Sequence, residues 1–499
     1  MKTRILLIVM LALFGLSGRA QITFQKTYGG ADTNYRCSVQ QTNDGGYIIA
    51  GSTTSFGAGN NDIYLIKTNV YGDTLWTKTY GGIGNDFGSF VQQTLDGGFI
   101  VCGRTTSFGA GGYDVYLIKI NSNGNLLWSK TYGGLGDDFG NCVRQTLDGG
   151  YIVVGTTLSF GTGGIYLIKI DSLGDSLWTK TFTHLTPIVE DRGESVQQTN
   201  DGGYIICGAY ISLVKTDSLG NVQWVKEFNG FSPPYLYSVQ QTEDNGFVMV
   251  GYFMSHGCLI KTDSIGGILW SKRLLFLQVL ESVRQTTDGG YIMTGIYSAN
   301  QESACLIKTN SSGDILWSKT FVIGNGLSVQ QTTDLGYIIG GGMSHTSPYI
   351  CLIKTDSSGN SGCSQNQGGQ NISTLSFPIT SPTLYVSTGG IISSPNTSMG
   401  NSSEEIDQCY SGINEISSTT SLLLSPNPFT TSTTLTLQGT YHNPSLFIYN
   451  LLGQEVRSIP VGTSKQVTIP RGNLPAGMYF YKLIEDNKEV LGIGKLLVE

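Results

Sequence analysis

Nine cysteines, four histidines and two glycine–aspartate runs are the residues of this 499-residue chain whose types could do chemistry. The histidines, His184, His256, His345 and His442, stand far apart, with no HExxH, CxxC or GxSxG around them. Their spacing supports neither zinc hydrolysis nor an activated serine. "GGIGND" from Gly81 and "GGLGDD" from Gly133 match the start of a calcium-binding nonapeptide. That motif works by stacking every nine residues, whereas these copies lie about 52 residues apart. Gly88 and Gly140 also stand where it needs an apolar residue. The expectation is a loop between repeat units, compatible at most with an isolated ion at Asp86 or Asp138. "SFGAGGYD" has the glycines of a phosphate loop but runs from strand to strand, without the helix N-terminus that would bind the anion. Paired carboxylates for glycoside chemistry would have to meet across separate units. No cofactor or metal follows from these residues.

Seven cysteines recur at repeat positions: Cys37 and Cys142 in one strand type, Cys102 and Cys207 in a second, Cys258, Cys305 and Cys351 in a third. Other copies hold Ala, Val, Ser or Tyr there, so packed, reduced thiols are expected. Cys363 and Cys409 lie outside the repeats and bracket one segment. In an exported chain this pair is the disulfide candidate, closing a loop of roughly 45 residues.

The elements that position these residues repeat from about residue 21 to 360, with a period of roughly 43 to 53 residues. Each copy holds four short apolar segments, A to D; in the first they are "RCSVQQT" (36–42), "GYIIAGST" (46–53), "DIYLIKTN" (62–69) and "DTLWTKTY" (73–80). Runs this short, divided by Gly, Asp and Asn, read as antiparallel strands. "NDGG" between A and B, and Asp217 with Gly220 between C and D of one copy, favour tight hairpins. Segments B and C are almost continuously apolar, so both faces of each sheet are expected to be covered. Segment D carries all six tryptophans, Trp76, Trp128, Trp178, Trp224, Trp270 and Trp317. The last copy lacks a D, but "QITFQKTYGG" near the start is a D with Phe24 at the tryptophan position. Pairing it with Ile350 to Thr355 completes a seven-bladed β-propeller over 21–356 and leaves no open edge.

The spacing [DN]-x-x-G-x-x-x-W resembles that of quinoprotein-type propellers, over the whole repeat region. That resemblance implies that each indole docks on the next blade, a structural role for Phe24 and the six tryptophans. It would also bring a quinone-dependent dehydrogenase into view, but such enzymes have eight blades and adjacent cysteines, and this chain has neither. The repeated lysines, such as Lys67 and Lys215, are expected on the solvated rim. One face of such a ring carries uniform hairpins. The other carries links that vary from "TTSFGAGNND" to "AYIS" and from "THLTPIVEDRGE" to "FNGFSPPYL", and recognition is expected there. Its candidate ligand-binding groups are Glu190, Asp191, Arg192, Phe231, Tyr235, His256, Glu302, His345 and Tyr349.

The two ends read as addresses. Lys2 and Arg4, an apolar run from Ile5 to Leu16, then Gly18 and Ala20 form a signal peptide over 1–20; about 12 apolar residues are too few to span a bilayer. Residues 357–421 are rich in Ser, Thr, Gly and Asn and read as a linker with room for a few strands but too little apolar bulk for a full core. From Leu422 to Glu499, "LLLSPNPF", "LFIYNLLGQEV", "LPAGMYFYKL" and "GKLLVE" read as short strands of a small Ig-like β-sandwich. These blocks closely resemble the C-terminal sorting domain of type IX secretion substrates in Bacteroidetes-type bacteria. The resemblance implies a secreted or outer-surface protein, the type IX machinery as partner, and Pro426, Gly453, Gly477, Tyr479, Gly494 and Lys495 as recognition residues.

With a net charge of -7 and scattered Lys and Arg, the chain has no phosphate-neutralising patch and so no nucleic-acid partner. No later segment could span a membrane as a helix. The fold class is all-β, and the leading functional reading is a non-catalytic binding or adhesion module for an extracellular glycan or protein. The alternative is a carbohydrate hydrolase or lyase on the same scaffold, which needs carboxylates converging at the ring's mouth.

Overall fold

The computed structural model describes residues 21–29, 37–184, 191–228, 233–299, 301–322, 324–342, 349–363 and, with short gaps, 365–498. Within these ranges the backbone alone is described for 298, 299, 301, 302, 379–423, 478 and 490–494. Every regular element among the described residues is a β-strand. Contacts divide the chain between Ser411 and Gly412.

In the first unit the repeats build small antiparallel sheets, an all-β arrangement consistent with a propeller. Five sheets each hold four repeat strands in the order A, B, C, D; a ten-stranded sheet holds two such sets, joined where Ala209 faces Tyr235. Set one runs Ser38–Gln41, Tyr47–Thr53, Asp62–Thr68 and Thr74–Gly81. Sets two to six occupy 86–133, 138–184, 192–228, 235–274 and 277–321. The seventh takes Asn325–Gln331, Tyr337–Gly342 and Ile350–Thr355 as A to C, and Thr23–Tyr28 as its D. Phe24 stands opposite Lys354 and Tyr28 opposite Ile350, the pairing expected from the early D-like segment.

Both faces of strands B and C are buried because each sheet lies between two others. Ile48, Ala50, Ile63 and Leu65 pack with Val91, Phe99 and Val101 of set two. The alternate residues Tyr47, Ile49, Tyr64 and Ile66 pack with Ile338, Ile350 and Leu352 of set seven. The remaining face of set seven, with Tyr337, Ile339 and Ile353, meets Ile292 and Leu306 of set six. Period-two alternation here sends successive apolar residues into different seams, so no polar face appears in the sequence.

Each seam is locked by a D-strand aromatic and a C–D turn glycine. Trp178 packs edge-on to Tyr204 of the next set at 6.0 Å, and Phe24 does the same to Tyr47 at 6.0 Å. Gly220 has φ +76° and lies so close to Trp178 that a β-carbon would come within 2.8 Å of the indole. Glycine is therefore required twice, by the left-handed turn and by the arriving ring.

The "QQ" pairs of strand A form a second system between sets. The second glutamine accepts from the hairpin of the preceding set: Asn43 N–H to Gln93 Oε1 (2.9 Å), Leu95 to Gln145 (2.9 Å), and so on to Thr333 N–H and Gln41 Oε1 (2.9 Å), which joins set seven to set one. The lysines ending strand C are not on a solvated rim. Lys67, Lys119, Lys169, Lys215, Lys261, Lys308 and Lys354 have side chains only 1–5% exposed, with each ammonium 2.8–2.9 Å from the aspartate of its own A–B hairpin. That aspartate also caps the hairpin glycine, as Asp44 does for Gly46 N–H at 3.0 Å. Burial of the stem is tolerated because the charge is paired at the hairpin.

The segment expected as a linker with a few strands carries seven of them. Residues 365–411 add one outermost strand to the D strand of every set, visiting them in reverse order. Gln365–Gln367 pairs with set six, Ile372–Thr374 with five, Ile379–Thr380 with four and Leu384–Ser387 with three. Ile391–Ser393 pairs with two, Ser398–Gly400 with one, and Glu405–Ser411 with Thr23–Tyr28 of set seven. The Ser, Thr and Gly residues suit this belt because backbone groups supply the pairing. Seven cysteines, Cys37 to Cys351, are buried free thiols, and Cys363 is disulfide-bonded. The side chain of its expected partner, Cys409, lies outside the described residues; its backbone stands opposite Gln25.

The second unit has a three-stranded sheet, of Leu422–Ser425, Ser432–Leu437 and Gln466–Pro470, and a four-stranded one, of Ser445–Tyr449, Glu455–Pro460, Gly477–Ile484 and Val490–Val498. Leu435 and Ile469 of the first share a core with Leu446, Leu483 and Leu496 of the second. Asn427 ties the "PNP" block to the terminal strand: its Nδ2 donates to Lys495 O at 3.0 Å and its Oδ1 accepts from Leu497 N–H at 2.8 Å.

Candidate functional site

Residues from the A strands of all the sets line one cavity, called the channel below. Around it, Ser38, Ser195, Ser238, Ser282 and Ser328 hold one level, with Phe90 and Cys142 at that position in sets two and three. The serines are structural: Ser328 Oγ accepts from Val39 N–H (3.2 Å) and Ser282 Oγ from Val329 N–H (3.3 Å), each from one set to the next. Toward the link face stand Glu194, Tyr237 and Glu281; on the hairpin side of the serines stand Arg144 and Arg284.

Tyr237, which lines this cavity, belongs to a cluster of tyrosines on sets four and five. Tyr235 begins strand A of set five and faces Tyr252 across the A–B ladder. Their rings stack at 5.0 Å and 13°. Tyr237, one strand repeat further in, lies at 6.1 Å and 27° to the same Tyr252. Tyr210 arrives from the B–C turn of set four, held at φ +61°. It meets Tyr235 edge-on at 5.3 Å and accepts the Tyr235 hydroxyl at 2.8 Å. Arg192 is exposed and its charge acts on both Tyr235 and Tyr252. Burial, then Tyr210, raises the phenol of Tyr235 well above its ordinary range, and Tyr252 rises for the same causes. The half-buried rings therefore stay neutral near pH 7, presenting flat apolar faces with hydroxyls at the edges.

Of the sequence-predicted residues, the structure brings Arg192 and Tyr235 together. Asp191 turns inward instead: its side chain is fully buried, accepting from His184 N–H at 2.8 Å and lying 2.7 Å from His184 Nδ1. Glu227 of set four takes the other ring nitrogen. Hydrogen bonding to Asp191 leads the causes that raise His184 to about 9, so the imidazolium joins the outer strands of sets three and four. His256 sits on its own hairpin, with Nδ1 2.8 Å from Met254 O and 2.7 Å from Arg273 Nη2. Tyr349 is half-buried just before strand C of set seven. Glu190, Phe231, His345 and the side chain of Glu302 lie outside the described residues. In the second unit, Tyr479 is buried and donates its hydroxyl to Pro475 O at 2.9 Å. Gly477 begins a strand, and the backbones of Gly494 and Lys495 face Tyr481 and Phe480. Pro426 and Gly453 lie outside the described residues.

Sequence reasoning missed Tyr210, Tyr237 and Tyr252, and also Arg104, whose guanidinium lies 4.8 Å from Phe87, 5.1 Å from Tyr113 and 5.1 Å from Phe139. The glycine–aspartate runs form links between sets. Gly82 N–H donates to Asp86 Oδ2 at 2.7 Å and Gly134 N–H to Asp138 Oδ2 at 2.8 Å. Among the described residues no three His, Cys, Asp or Glu side chains converge to hold a metal ion. Nor, among them, is any helix long and apolar enough to cross a membrane.

Comparison with known proteins assigns the C-terminal end. Residues 424–499 match the model of the secretion system C-terminal sorting domain. This sorting domain marks the chain as handled by type IX secretion and as a secreted or outer cell-surface protein. No curated protein matches it. Similar solved structures include the extracellular domain of a hybrid two-component system from B. thetaiotaomicron, at 10% identity, TM-score 0.43, with 96% of this chain and 60% of that one covered. A fungal alcohol oxidase in complex with copper matches at 12% identity and TM-score 0.43, covering 96% and 99%. A protein of unknown function from Bacteroides caccae matches at 12% identity and TM-score 0.37, covering 60% and 94%.

Proposed function

We propose that the first unit is a closed seven-bladed propeller, exported with a cleaved signal peptide and an Ig-like sorting domain, which binds an extracellular glycan through its link face without altering it. Seven core seams in sequence, the last joining set seven to set one, support the blade count. The observation that carries the binding reading is the Tyr235–Tyr252 stack, flanked by Tyr210 and by Tyr237, which lines the channel, with Arg192 beside it. Flat aromatic faces suit the apolar faces of sugar rings, and phenol and guanidinium donors suit their hydroxyls.

The test is a glycan array followed by titration calorimetry on the best binder. Tyr252→Ala and Arg192→Ala should each weaken binding about tenfold or more, the loss of one anchoring contact. Unchanged affinity in both variants would remove the tyrosine face as the site. A second reading, a hydrolase or lyase, draws on Glu194 and Glu281, which both line the channel. Product release from the bound glycan, abolished in Glu281→Gln, would establish it in place of binding alone.

A further inference from the structure

At one position of strand A, five sets carry glutamine and two carry arginine. Gln40, Gln92, Gln197, Gln240 and Gln330 each accept the backbone N–H of the next set's following glutamine, at 2.6–2.8 Å. Sets three and six have Arg144 and Arg284 instead. A guanidinium has only donors, so each replacement forfeits one bond of this ring.

What the two arginines do instead is point charge into the channel they both line. Arg144 lies over Phe90 at 4.5 Å, where most sets have the small serine. Arg284 Nη1 donates to Val283 O at 2.7 Å and Ser238 Oγ at 3.4 Å. Among the described residues no carboxylate pairs with either guanidinium, although Glu194 and Glu281 line the channel nearer the link face. Burial, and after it the charge of Arg144, lowers Arg284 to about 9. Two like charges held in a narrow passage are unfavourable unless a counter-charge joins them, and a guanidinium matches the oxygens of an oxyanion geometrically.

We propose that Arg144 and Arg284 form an oxyanion-binding site within the channel, taking a sulfate or phosphate group, either as the free ion or as a substituent on a glycan. The arginines lie on the hairpin side of the serines and the tyrosine face on the link side of the same cavity, and neither reading requires the other.

The experiment measures thermal unfolding of the full chain against inorganic sulfate and phosphate, with chloride at matched ionic strength as reference. Calorimetry with a sulfated oligosaccharide and with its desulfated form accompanies it. Millimolar sulfate or phosphate should raise the midpoint saturably and chloride should not. Arg144→Gln and Arg284→Gln restore the residue of the other five sets, so folding is expected; each should weaken the response at least tenfold, and the double variant should abolish it. The double variant should also melt at or above the wild-type midpoint in chloride, since repulsion is relieved. A response equal to wild type in the double variant, or a wild type indifferent to both anions, would overturn the site. So would a double variant that melts lower in chloride and shows no anion dependence, for then the arginines would be structural. Tighter binding of the sulfated oligosaccharide than of free sulfate, lost in Arg144→Gln but kept in Tyr252→Ala, identifies a glycan-borne group; equal affinities identify the free ion.

Discussion

At the scale of single residues, most charge in the first unit serves packing. His184 is held between Asp191 and Glu227 and is raised to about 9. A histidine with a raised folded value contributes stability that is complete below its unfolded value, near 6.5, and is lost as pH rises through about 9. His184→Gln should therefore destabilise the protein at pH 6 by up to about 3 kcal/mol, the linkage limit for such a shift. The gap between wild type and variant should shrink above pH 9, as followed by urea denaturation at each pH. Asp114 gives the opposite slope for a carboxylate. Burial raises it to about 6, so ionising it in the folded state opposes folding as pH rises from 4 through 6. Asp114→Asn should then be less destabilising at pH 8 than at pH 4, a reversal of the usual carboxylate pattern that the same titration would detect.

At the scale of elements, the strand lent by the N-terminal end is the clearest test of the architecture. Phe24 is fully buried against Tyr47 and Gly72. Phe24→Ala should cost about 3–5 kcal/mol, as for other buried aromatics. Hydrogen exchange should rise first in Thr23–Tyr28 and Ile350–Thr355, whereas a change spread evenly over all sets would count against a local closure. This strand was legible because it carries a local signature, "KTYGG" after an aromatic, shared with the D segments of sets one and two. The belt was not. Its strands are two to seven residues long and pair through backbone groups, so they leave no side-chain period to read. The tyrosine face fell between these cases. Tyr235 could be named from its link, but Tyr252 joins it across the A–B ladder of set five and Tyr210 only through the contact of Ala209 with Tyr235 between sets four and five. Arg144 and Arg284 were readable as departures from the glutamine column, although nothing in the sequence said that the column lines a channel. The lysines misled because their partners, the hairpin aspartates, lie 14 to 23 residues away in sequence.

At the scale of the whole molecule, the belt and the cysteine chemistry meet. Cys363 precedes the first belt strand, and Cys409 lies in the last. Non-reducing peptide mapping should find them joined, closing a loop that runs past all seven sets. Cys363→Ser should lower stability by up to about 4 kcal/mol, the entropy limit for a loop of this length. Alkylation of the folded protein should leave the seven buried thiols untouched, and recovery of Cys363 linked to any of them would refute the pairing.

A sheet that ends in a long bare strand invites a stranger's strand to add on, and proteins discourage this with very short terminal strands. Here every D strand already has a partner from the same polypeptide, and on six of the seven sets what remains outermost is two to four residues long. Strand addition by another molecule is thus discouraged at the D edge of every set.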